Sequence, residues 1–409
     1  MKLKYFIWAF ILLFCAFVVQ YGFCAYRWLS PPEIHAVFDR EGEKLSVDRH
    51  TVHLLGDGQG RVPKTMLSHY GKETLSYTLL KGLYSYGGRK YKAKLTISAP
   101  LQRTALTALG EKWGTVAVMN YQTGEILCTV TNPTFSPTEK GAVTESMYVN
   151  RFLFGCYTPG SVYKIVTLAA ALEEDPFVEN RRFSCKGEKY FGTDKVVCPV
   201  SHGEQTLRDA FRNSCNCAFA AIAYGLGEEK MTAYAEKFGL TAPLSFDGFT
   251  TASGRYDCAV SLPWSGVGQG DTKINPCTFL TFLSAVARDG QGRKPYLMAS
   301  VRDGYKTLYQ ARPVSNAPVL TPKTAATLQK YLRSNVEEKY GDSYFAGLRV
   351  CAKTGTAETG AEKPNATLCG FSLDEKMPIA FLIIAENAGA GADVCLPIAE
   401  RILECLIDN

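Results

Sequence analysis

A serine and a lysine three residues apart lie at the entrance of an apolar helix. The chain turns at Pro159 and Gly160, Ser161 follows, and Lys164 leads into the run Ile-Val-Thr-Leu-Ala-Ala-Ala-Leu. Residues at this spacing share one helix face, so the Lys164 amine can reach the Ser161 hydroxyl. Backbone N–H groups at a helix start also favour negative charge. A nucleophile, a base and part of an oxyanion site are therefore expected within one turn.

The serine–lysine pair alone also has an ordinary structural interpretation, since serine is a common helix cap and lysine can extend to water. Two later motifs favour the catalytic interpretation, because each occurs once and the three motifs follow a fixed order. They are Ser214-Cys215-Asn216 at a helix entry and Lys353-Thr354-Gly355-Thr356 at the end of a predicted strand. The order S-x-x-K, S-x-N, K-T-G is typical of penicillin-binding proteins and class A β-lactamases.

Other segments extend this similarity, and the chain resembles class B penicillin-binding proteins over roughly residues 95–409. The segments are the lead-in 150–161, the hairpin 114–137, Gly268-Gln269-Gly270 before Asn275-Pro276, and Cys369-Gly370-Phe371. The resemblance implies a peptidoglycan D,D-transpeptidase that crosslinks stem peptides and is inhibited by β-lactams. It also implies a membrane glycosyltransferase as partner. We find no glycosyltransferase domain of the bifunctional class A type in the sequence.

The resemblance implies a catalytic group of four residues. Ser161 would attack a D-Ala-D-Ala carbonyl and form an acyl-enzyme, and Lys164 would act as the neutral base. Ser214 would relay a proton to the leaving amine, and Asn216 would hold Lys164 and the substrate amide. None of the five histidines falls in a motif, which leaves lysine as the expected base. We expect the cation of Lys353, together with partial burial, to lower the pKa of Lys164.

The third motif is expected to bind substrate. Lys353, Thr354 and Thr356 would hold the terminal carboxylate, and Gly355 would let the substrate approach the strand edge. The backbone N–H groups of Ser161 and Thr356 would form the oxyanion hole. Each of these residues also has an ordinary interpretation as a cap, a turn or a solvated strand end, but all of these would have to coincide.

No cofactor and no metal site is expected. The chain has 14 cysteines but no C-x-x-C pair, and Cys215-x-Cys217 has the wrong spacing for structural zinc. Cys185 and Cys198 flank a short Gly- and Lys-rich segment and are candidates for a bridge across a hairpin or loop. The remaining cysteines are interpreted as small core residues.

Composition and charge favour a membrane-attached globular protein. A net charge of +6 over 409 residues, without a run of Lys or Arg, does not indicate nucleic-acid binding. Tyr5 to Tyr26 form an almost uninterrupted apolar stretch of spanning length, with Lys2 and Lys4 before it and Arg27 after it. Because this stretch is long for a signal peptide, we expect an uncleaved anchor with a cytoplasmic N-terminus and an extracellular catalytic domain.

The fold class expected is α/β of the α+β type. Strands near both ends of the chain surround a helical middle, which predicts a central antiparallel sheet flanked by helices, plus an all-helical subregion. The predicted divisions are an anchor at 1–29, a small β-rich module at 30–95 and a transpeptidase domain at 96–409. Helices are predicted at 100–111, 206–224, 228–239, 275–289, 321–333 and 394–408, and 241–275 is predicted to be loop-rich.

Four other functions remain open at this point, two enzymes and two non-enzymes. A β-lactamase or a D,D-carboxypeptidase shares the serine acylation step and differs in how water enters. Class A lactamases need a water positioned by a glutamate, and Glu204 is the one loop carboxylate considered for that role. A β-lactam sensor or an inactive scaffold is the non-enzyme alternative, although no motif residue is missing.

Overall fold

The computed structural model describes residues 2–29, 34–57, 61–62, 91–138 and 143–408. Most of the predicted module 30–95 lies outside the described residues. The helices are α1 Lys2–Leu29, α2 Val52–Leu55, α3 Ala99–Leu109, α4 Arg151–Phe154, α5 Lys164–Glu174, α6 Leu207–Arg212, α7 Asn216–Leu226, α8 Glu228–Lys237, α9 Leu262–Val267, α10 Pro276–Ala287, α11 Pro322–Asn335 and α12 Gly391–Asp408.

The strands lie in one large sheet and several small ones. They are β1 Ile34–Phe38, β2 Tyr91–Leu95, β3 Gly114–Asn120, β4 Ile126–Asn132, β5 Arg182–Cys185, β6 Glu188–Phe191, β7 Asp194–Val197, β8 Gly203–Thr206, β9 Ser245–Phe246, β10 Phe249–Thr250, β11 Met298–Asp303, β12 Lys306–Gln310, β13 Val350–Ala357, β14 Asn365–Ser372 and β15 Ile379–Ala385.

The large sheet has five strands in the order β13-β14-β15-β3-β4, all antiparallel. It joins the first strands of the catalytic region to the last, and β13 forms one edge. Strand β15 is apolar at every position because both of its faces are buried. Successive residues alternate between two cores: Phe381 packs on the side of α3 and α12, and Leu382 packs on the side of α5 and α10. The predicted fold class is confirmed.

A second sheet crosses the domain boundary predicted at residues 95 and 96. Its order is β1-β2-β11-β12, so two strands from before the boundary share one sheet with two strands from within the catalytic region. Strand β2 pairs with β1 in parallel and with β11 antiparallel. The division into 30–95 and 96–409 stays a prediction.

The first helix carries the segment predicted to be an anchor. Within α1, the span Lys4–Gly22 has a mean hydropathy of 1.9 and is long and apolar enough to cross a membrane. Its described side chains from position 4 to 22 lie almost wholly exposed. This exposure is what a helix that contacts lipid requires.

The helix predicted at 206–224 is wrong as a single element. It is broken into α6 and α7 at Ser214, whose φ of +55° lies in the left-handed region. Such a φ costs a non-glycine residue about 1–2 kcal/mol and stops a right-handed helix. The predicted loop-rich stretch 241–275 also contains the helix α9 and the short pair β9 and β10.

Candidate active site

The nucleophile turn is the 3-10 segment Gly160–Tyr163, which runs directly into α5. Gly160 has a φ of +59°, and its N–H donates to the Gly268 carbonyl at 2.9 Å. A Cβ on Gly160 would lie 2.6 Å from the Thr356 carbonyl oxygen. Only glycine therefore lets this turn pack against strand β13, and this packing brings Ser161 next to the third motif.

The base candidate is buried at the start of α5. Lys164 is 0% exposed, and its Nζ lies 3.1 Å from Ser161 Oγ. The same Nζ lies 2.6 Å from the Ser214 carbonyl oxygen and 2.7 Å from Asn216 Oδ1. Burial is the main cause that lowers the pKa of Lys164 to about 7. An amine in this state can accept a proton from serine near neutral pH.

The loop between α6 and α7 connects the two lysines of the site. Ser214 Oγ is 3.2 Å from Lys164 Nζ and 3.0 Å from Lys353 Nζ. The left-handed backbone of Ser214 lets both its carbonyl oxygen and its hydroxyl reach the Lys164 amine. A hydroxyl between two amines can pass a proton from one to the other.

The second lysine is as buried as the first. Lys353 is 1% exposed and also donates to the Thr354 carbonyl oxygen at 3.1 Å. Burial, and then the positive charge of Lys164, lower the pKa of Lys353 well below its ordinary value. Of the two causes expected for the Lys164 shift, burial is confirmed, whereas the charge effect runs the other way: the charge of Lys164 lowers the pKa of Lys353.

Strand β13 presents the third motif along the edge of the large sheet. The Tyr340 hydroxyl holds both the Thr354 Oγ1, at 3.0 Å, and the Thr354 N–H, at 3.1 Å. Thr356 Oγ1 accepts the N–H of Gly391 at 3.0 Å. A Cβ on Gly355 would lie 2.7 Å from the Pro159 carbonyl oxygen. Glycine is thus needed here for the strand to approach the nucleophile turn, rather than only for substrate to approach the strand.

The lead-in to the nucleophile is fixed by buried polar groups. Arg151 forms an ion pair of 2.8 Å with Glu386, and the Tyr157 hydroxyl donates to the same carboxylate at 3.0 Å. Asn275 is fully buried and donates to the carbonyl oxygens of Leu153 and Gly155, both at 2.9 Å. These contacts give a structural role to the lead-in 150–161 and to the Asn275-Pro276 segment, which contribute no catalytic group.

The predicted residues meet at one cleft of about 820 Å³. Ser161, Ser214, Asn216, Thr354 and Thr356 line it, Lys164 and Lys353 lie directly behind them, and Gly355 lies between the two threonines.

Sequence reasoning missed other residues of the cleft. Lys339, Trp264 and Val200 line the walls, and Tyr340 supports Thr354 from outside any motif. A single lysine or aromatic residue outside any motif does not reveal from the sequence that it belongs to the cleft.

Comparison with known proteins identifies the family of the chain. Residues 114–404 match the family model of the penicillin binding protein transpeptidase domain. The chain is 26% identical over 328 residues to peptidoglycan D,D-transpeptidase PbpA of Mycolicibacterium smegmatis, covering 72% of this chain and 67% of that protein. It is 32% identical over 314 residues to stage V sporulation protein D of Bacillus subtilis, covering 71% of this chain and 48% of that protein. The chain thus spans about half the length of the second relative.

Solved structures with low sequence identity share the fold. Penicillin-binding protein A from M. tuberculosis, as a penicillin G acyl-enzyme complex, matches with a TM-score of 0.79 at 19% identity, covering 92% of this chain and 100% of that chain. A D,D-transpeptidase domain from Eggerthella lenta matches with a TM-score of 0.79 at 24% identity, covering 93% and 99%. With the family model matching most of its length, the chain belongs to the class B penicillin-binding proteins and carries their transpeptidase domain.

Proposed function

We infer that the protein is a peptidoglycan D,D-transpeptidase, a serine enzyme that crosslinks stem peptides ending in D-Ala-D-Ala. The observation that carries this function is the distance of 3.1 Å between Lys164 Nζ and Ser161 Oγ, at a buried amine whose pKa is about 7. A lysine in this state activates the serine without help from histidine.

Acylation uses the catalytic group in sequence. Ser161 Oγ attacks the carbonyl carbon between the two D-alanines while its proton passes to Lys164. The C–N bond then breaks, and Ser214 delivers a proton to the leaving D-alanine amine. Lys164 returns a proton to Ser214 across the 3.2 Å contact between Lys164 Nζ and Ser214 Oγ. The amine of a second stem peptide then attacks the ester carbonyl, the bond to Ser161 Oγ breaks, and the proton lost by the amine passes through Lys164 to Ser161, which completes the crosslink.

Substrate binding falls to strand β13 and its neighbours. Lys353, Thr354 and Thr356 bind the terminal carboxylate, and an incoming carboxylate favours the protonated form of Lys353. The N–H groups of Ser161 and Thr356 stabilise the oxyanion. The close packing of Gly160 and Gly355 on each other's segments supports this role, because it keeps Ser161 and Thr356 together at the cleft.

The hydrolytic alternatives are not favoured. Glu204, considered for positioning water, lies exposed on β8, opposite Ser184, and is not among the residues that line the cleft. The carboxylates that do line it, Asp271 and Glu358, have no hydrogen bond to Ser161 among the contacts of the described residues. An inactive scaffold is also not favoured, since every motif residue lies in the assembled site.

The location follows from α1 and the family layout. We propose a single-pass membrane protein with a cytoplasmic N-terminus and a catalytic domain on the outer side. A membrane glycosyltransferase that makes the glycan strands is the expected partner. No cofactor takes part in the proposed reaction.

The mass of the intact protein after incubation with penicillin tests this function first. The chain should gain one penicillin mass that persists, and Ser161→Ala should gain none while keeping the wild-type melting temperature. An adduct that forms and quickly disappears with turnover would indicate a β-lactamase instead, and no adduct on the folded protein would indicate a scaffold. Incubation with stem peptides then distinguishes the two remaining activities. A transpeptidase produces crosslinked dimers, whereas a carboxypeptidase produces stem peptides that have lost the terminal D-alanine.

A further inference from the structure

Four potential metal ligands meet beside the cleft. Cys185, Cys198, His202 and Cys215 each offer one ligand atom, and these atoms all lie within 4.8 Å of one another. His202 Nδ1 is 3.5 Å from Cys198 Sγ. The three thiols are buried, and the imidazole is partly buried. This cluster is hard to recognise from spacing alone, because its members are 13, 4 and 13 positions apart along the chain.

The four ligand atoms lie close enough together for small side-chain movements to place them around one tetrahedral ion. With zinc–sulfur bonds of about 2.3 Å and zinc–nitrogen bonds of about 2.0 Å, neighbouring ligand atoms lie about 3.5–3.8 Å apart. Three thiolates and one imidazole form one of the ligand sets that hold structural zinc. Soft sulfur ligands also disfavour magnesium and calcium, which take oxygen.

We propose that Cys185, Cys198, His202 and Cys215 bind one structural zinc ion as a closed Cys3His site. Binding replaces the protons of three thiols and leaves the imidazole neutral, so the thiol protons pass to solvent and no electron is transferred. With four protein ligands the ion has no open position for substrate or water, so its role is to hold the chain.

The local fold would gain stability from such a constraint, in addition to the packing of Phe183 and Val196 on the main core. Residues 182–206 form two separate pairs of four-residue strands, β5 with β8 and β6 with β7. Pairs this small are marginal in water unless something else holds them. Cys185 ends β5, Cys198 follows β7 and His202 precedes β8, so one ion would join the base of the hairpin to both outer strands.

The fourth ligand links this segment to the active site. Cys215 lies between Ser214 and Asn216 in the second motif, at the start of α7. Asn216 Nδ2 donates to the Val197 carbonyl oxygen at 2.9 Å, one residue before the ligand Cys198. The hairpin also contacts another residue that lines the cleft, because the Lys195 carbonyl oxygen accepts from Trp264 Nε1 at 3.1 Å. The ion therefore positions the Ser214 loop, a consequence that rests on the proposed function.

The metal content of the purified full chain in detergent tests the site without any activity measurement. We expect about one zinc ion per chain for the wild type. Loss of that zinc is expected for Cys185→Ala and for His202→Ala. His202→Cys, which keeps four ligands, should retain it. Cys128→Ala removes a buried cysteine from β4, in the other core, and serves as the matched control.

Cobalt replacement reports the geometry if an alanine variant does not fold. The wild-type chain stripped of metal and loaded with Co2+ should show thiolate charge-transfer bands and the visible bands of tetrahedral cobalt. A wild-type chain without bound zinc, or with a Cys185–Cys198 disulfide in its place, would overturn the proposal. Equal zinc content in wild type and in both alanine variants would overturn it as well.

Penicillin labelling separates the metal site from the proposed function. Chelation should slow acylation of the wild type severalfold, and added zinc should restore the rate. If the chain binds zinc but is never acylated, the metal-site proposal stands and the transpeptidase function is refuted. Acylation at an unchanged rate after complete removal of zinc would refute the link to the Ser214 loop.

Discussion

The two lysines of the site share one buried pocket and one hydroxyl. Each Nζ lies 5.9 Å from the centre of a phenyl ring, Lys164 beside Phe219 and Lys353 beside Phe211. Apolar walls disfavour charge, and two nearby positive charges disfavour each other. The free enzyme therefore keeps a low positive charge here, and a substrate carboxylate restores the proton on Lys353.

The rate of acylation should depend on the protonation of Lys164. Because its pKa is about 7, the neutral fraction, and with it the penicillin acylation rate, should fall about tenfold for each pH unit below that value and level off above it. The free energy of unfolding should rise with pH between about 7 and the ordinary lysine value, since the unfolded chain binds the extra proton there. Labelling rates from about pH 5 to about pH 9 measure the first effect.

The variant Lys164→Arg separates charge from position. Arginine does not lose its proton in proteins, so it should leave labelling undetectable at every pH. A labelling rate that rises with pH in this variant would show that another group is the base. A melting curve establishes that the variant is folded.

Replacing Lys353 by alanine should weaken the binding of carboxylates. The loss of one charge-assisted hydrogen bond of about 1.5–3 kcal/mol corresponds to a decrease of about ten- to a hundredfold in the second-order acylation rate. Most of this decrease should appear in the concentration of penicillin needed for half-maximal rate. Equal acylation of Lys353→Ala and wild type would remove the role assigned to this residue.

The short motifs could be found in the sequence, because spacing along one turn places Lys164 beside Ser161. What could not be predicted was how completely the two lysines are buried. Burial on all sides depends on Phe211, Phe219 and the strand β13, which come from distant segments. The same holds for Tyr340, whose hydroxyl matters only because α11 and the turn after it end beside Thr354.

Among the elements, the contact between β13 and the nucleophile turn is the tightest requirement. A Cβ on Gly355 would lie 2.7 Å from the Pro159 carbonyl oxygen and 3.1 Å from Val162 Cγ1. Neither group can move without shifting the turn that carries Ser161. The sheet and the turn thus determine each other's position.

Gly355→Ala should therefore destabilise the fold by about 1–3 kcal/mol, as overpacking does, and should also slow acylation. The matched control is Gly225→Ala, in α7, where a Cβ would have nothing within 4 Å. That change should raise stability by about 0.5–1 kcal/mol. Urea unfolding of both variants makes the comparison, and a neutral Gly355→Ala would refute the close packing.

Most elements were predictable from periodicity and turn residues, as the β3 and β4 hairpin and the helix α10 illustrate. The break between α6 and α7 was not, because the run from Leu207 to Leu226 has helical character throughout. Ser214 adopts its left-handed backbone in order to reach two lysines, and that requirement is tertiary. The small strands from β5 to β8 were not predicted either, since their sequences show little alternation of apolar and polar residues.

For the molecule as a whole, one carboxylate joins the N-terminal segment to the catalytic region. Asp39 is 0% exposed and accepts the N–H groups of Glu41, Gly42 and Glu43 at 2.7–3.0 Å. Its other oxygen accepts the N–H of Ala99, the first residue of α3, at 3.0 Å. Burial opposes the charge, but these backbone donors outweigh it and lower the pKa of Asp39.

Asp39→Ala should lower the free energy of unfolding of the entire described domain by about 3 kcal/mol, because buried donors lose their acceptor. Since the folded pKa is lowered, the stabilisation is present above the ordinary aspartate value and is lost as pH falls through the lowered one. Tryptophan fluorescence and penicillin labelling should be lost together on denaturation. The exposed Glu111→Ala serves as control, and loss of labelling at an unchanged denaturant concentration in Asp39→Ala would indicate an independent module.

The order of strands in the large sheet also determines the stage of synthesis at which the catalytic region can fold. Strand β15 lies between β14 and β3, so the sheet stays split until residues 379–385 have been synthesised. A chain stopped before Ile379 already holds both serines and both lysines of the site, yet β13 and β14 have no strand to join them to β3. Such distant pairing makes folding slow. Nascent chains are therefore expected to carry a complete set of catalytic residues and no activity, so that acylation by penicillin marks finished molecules alone.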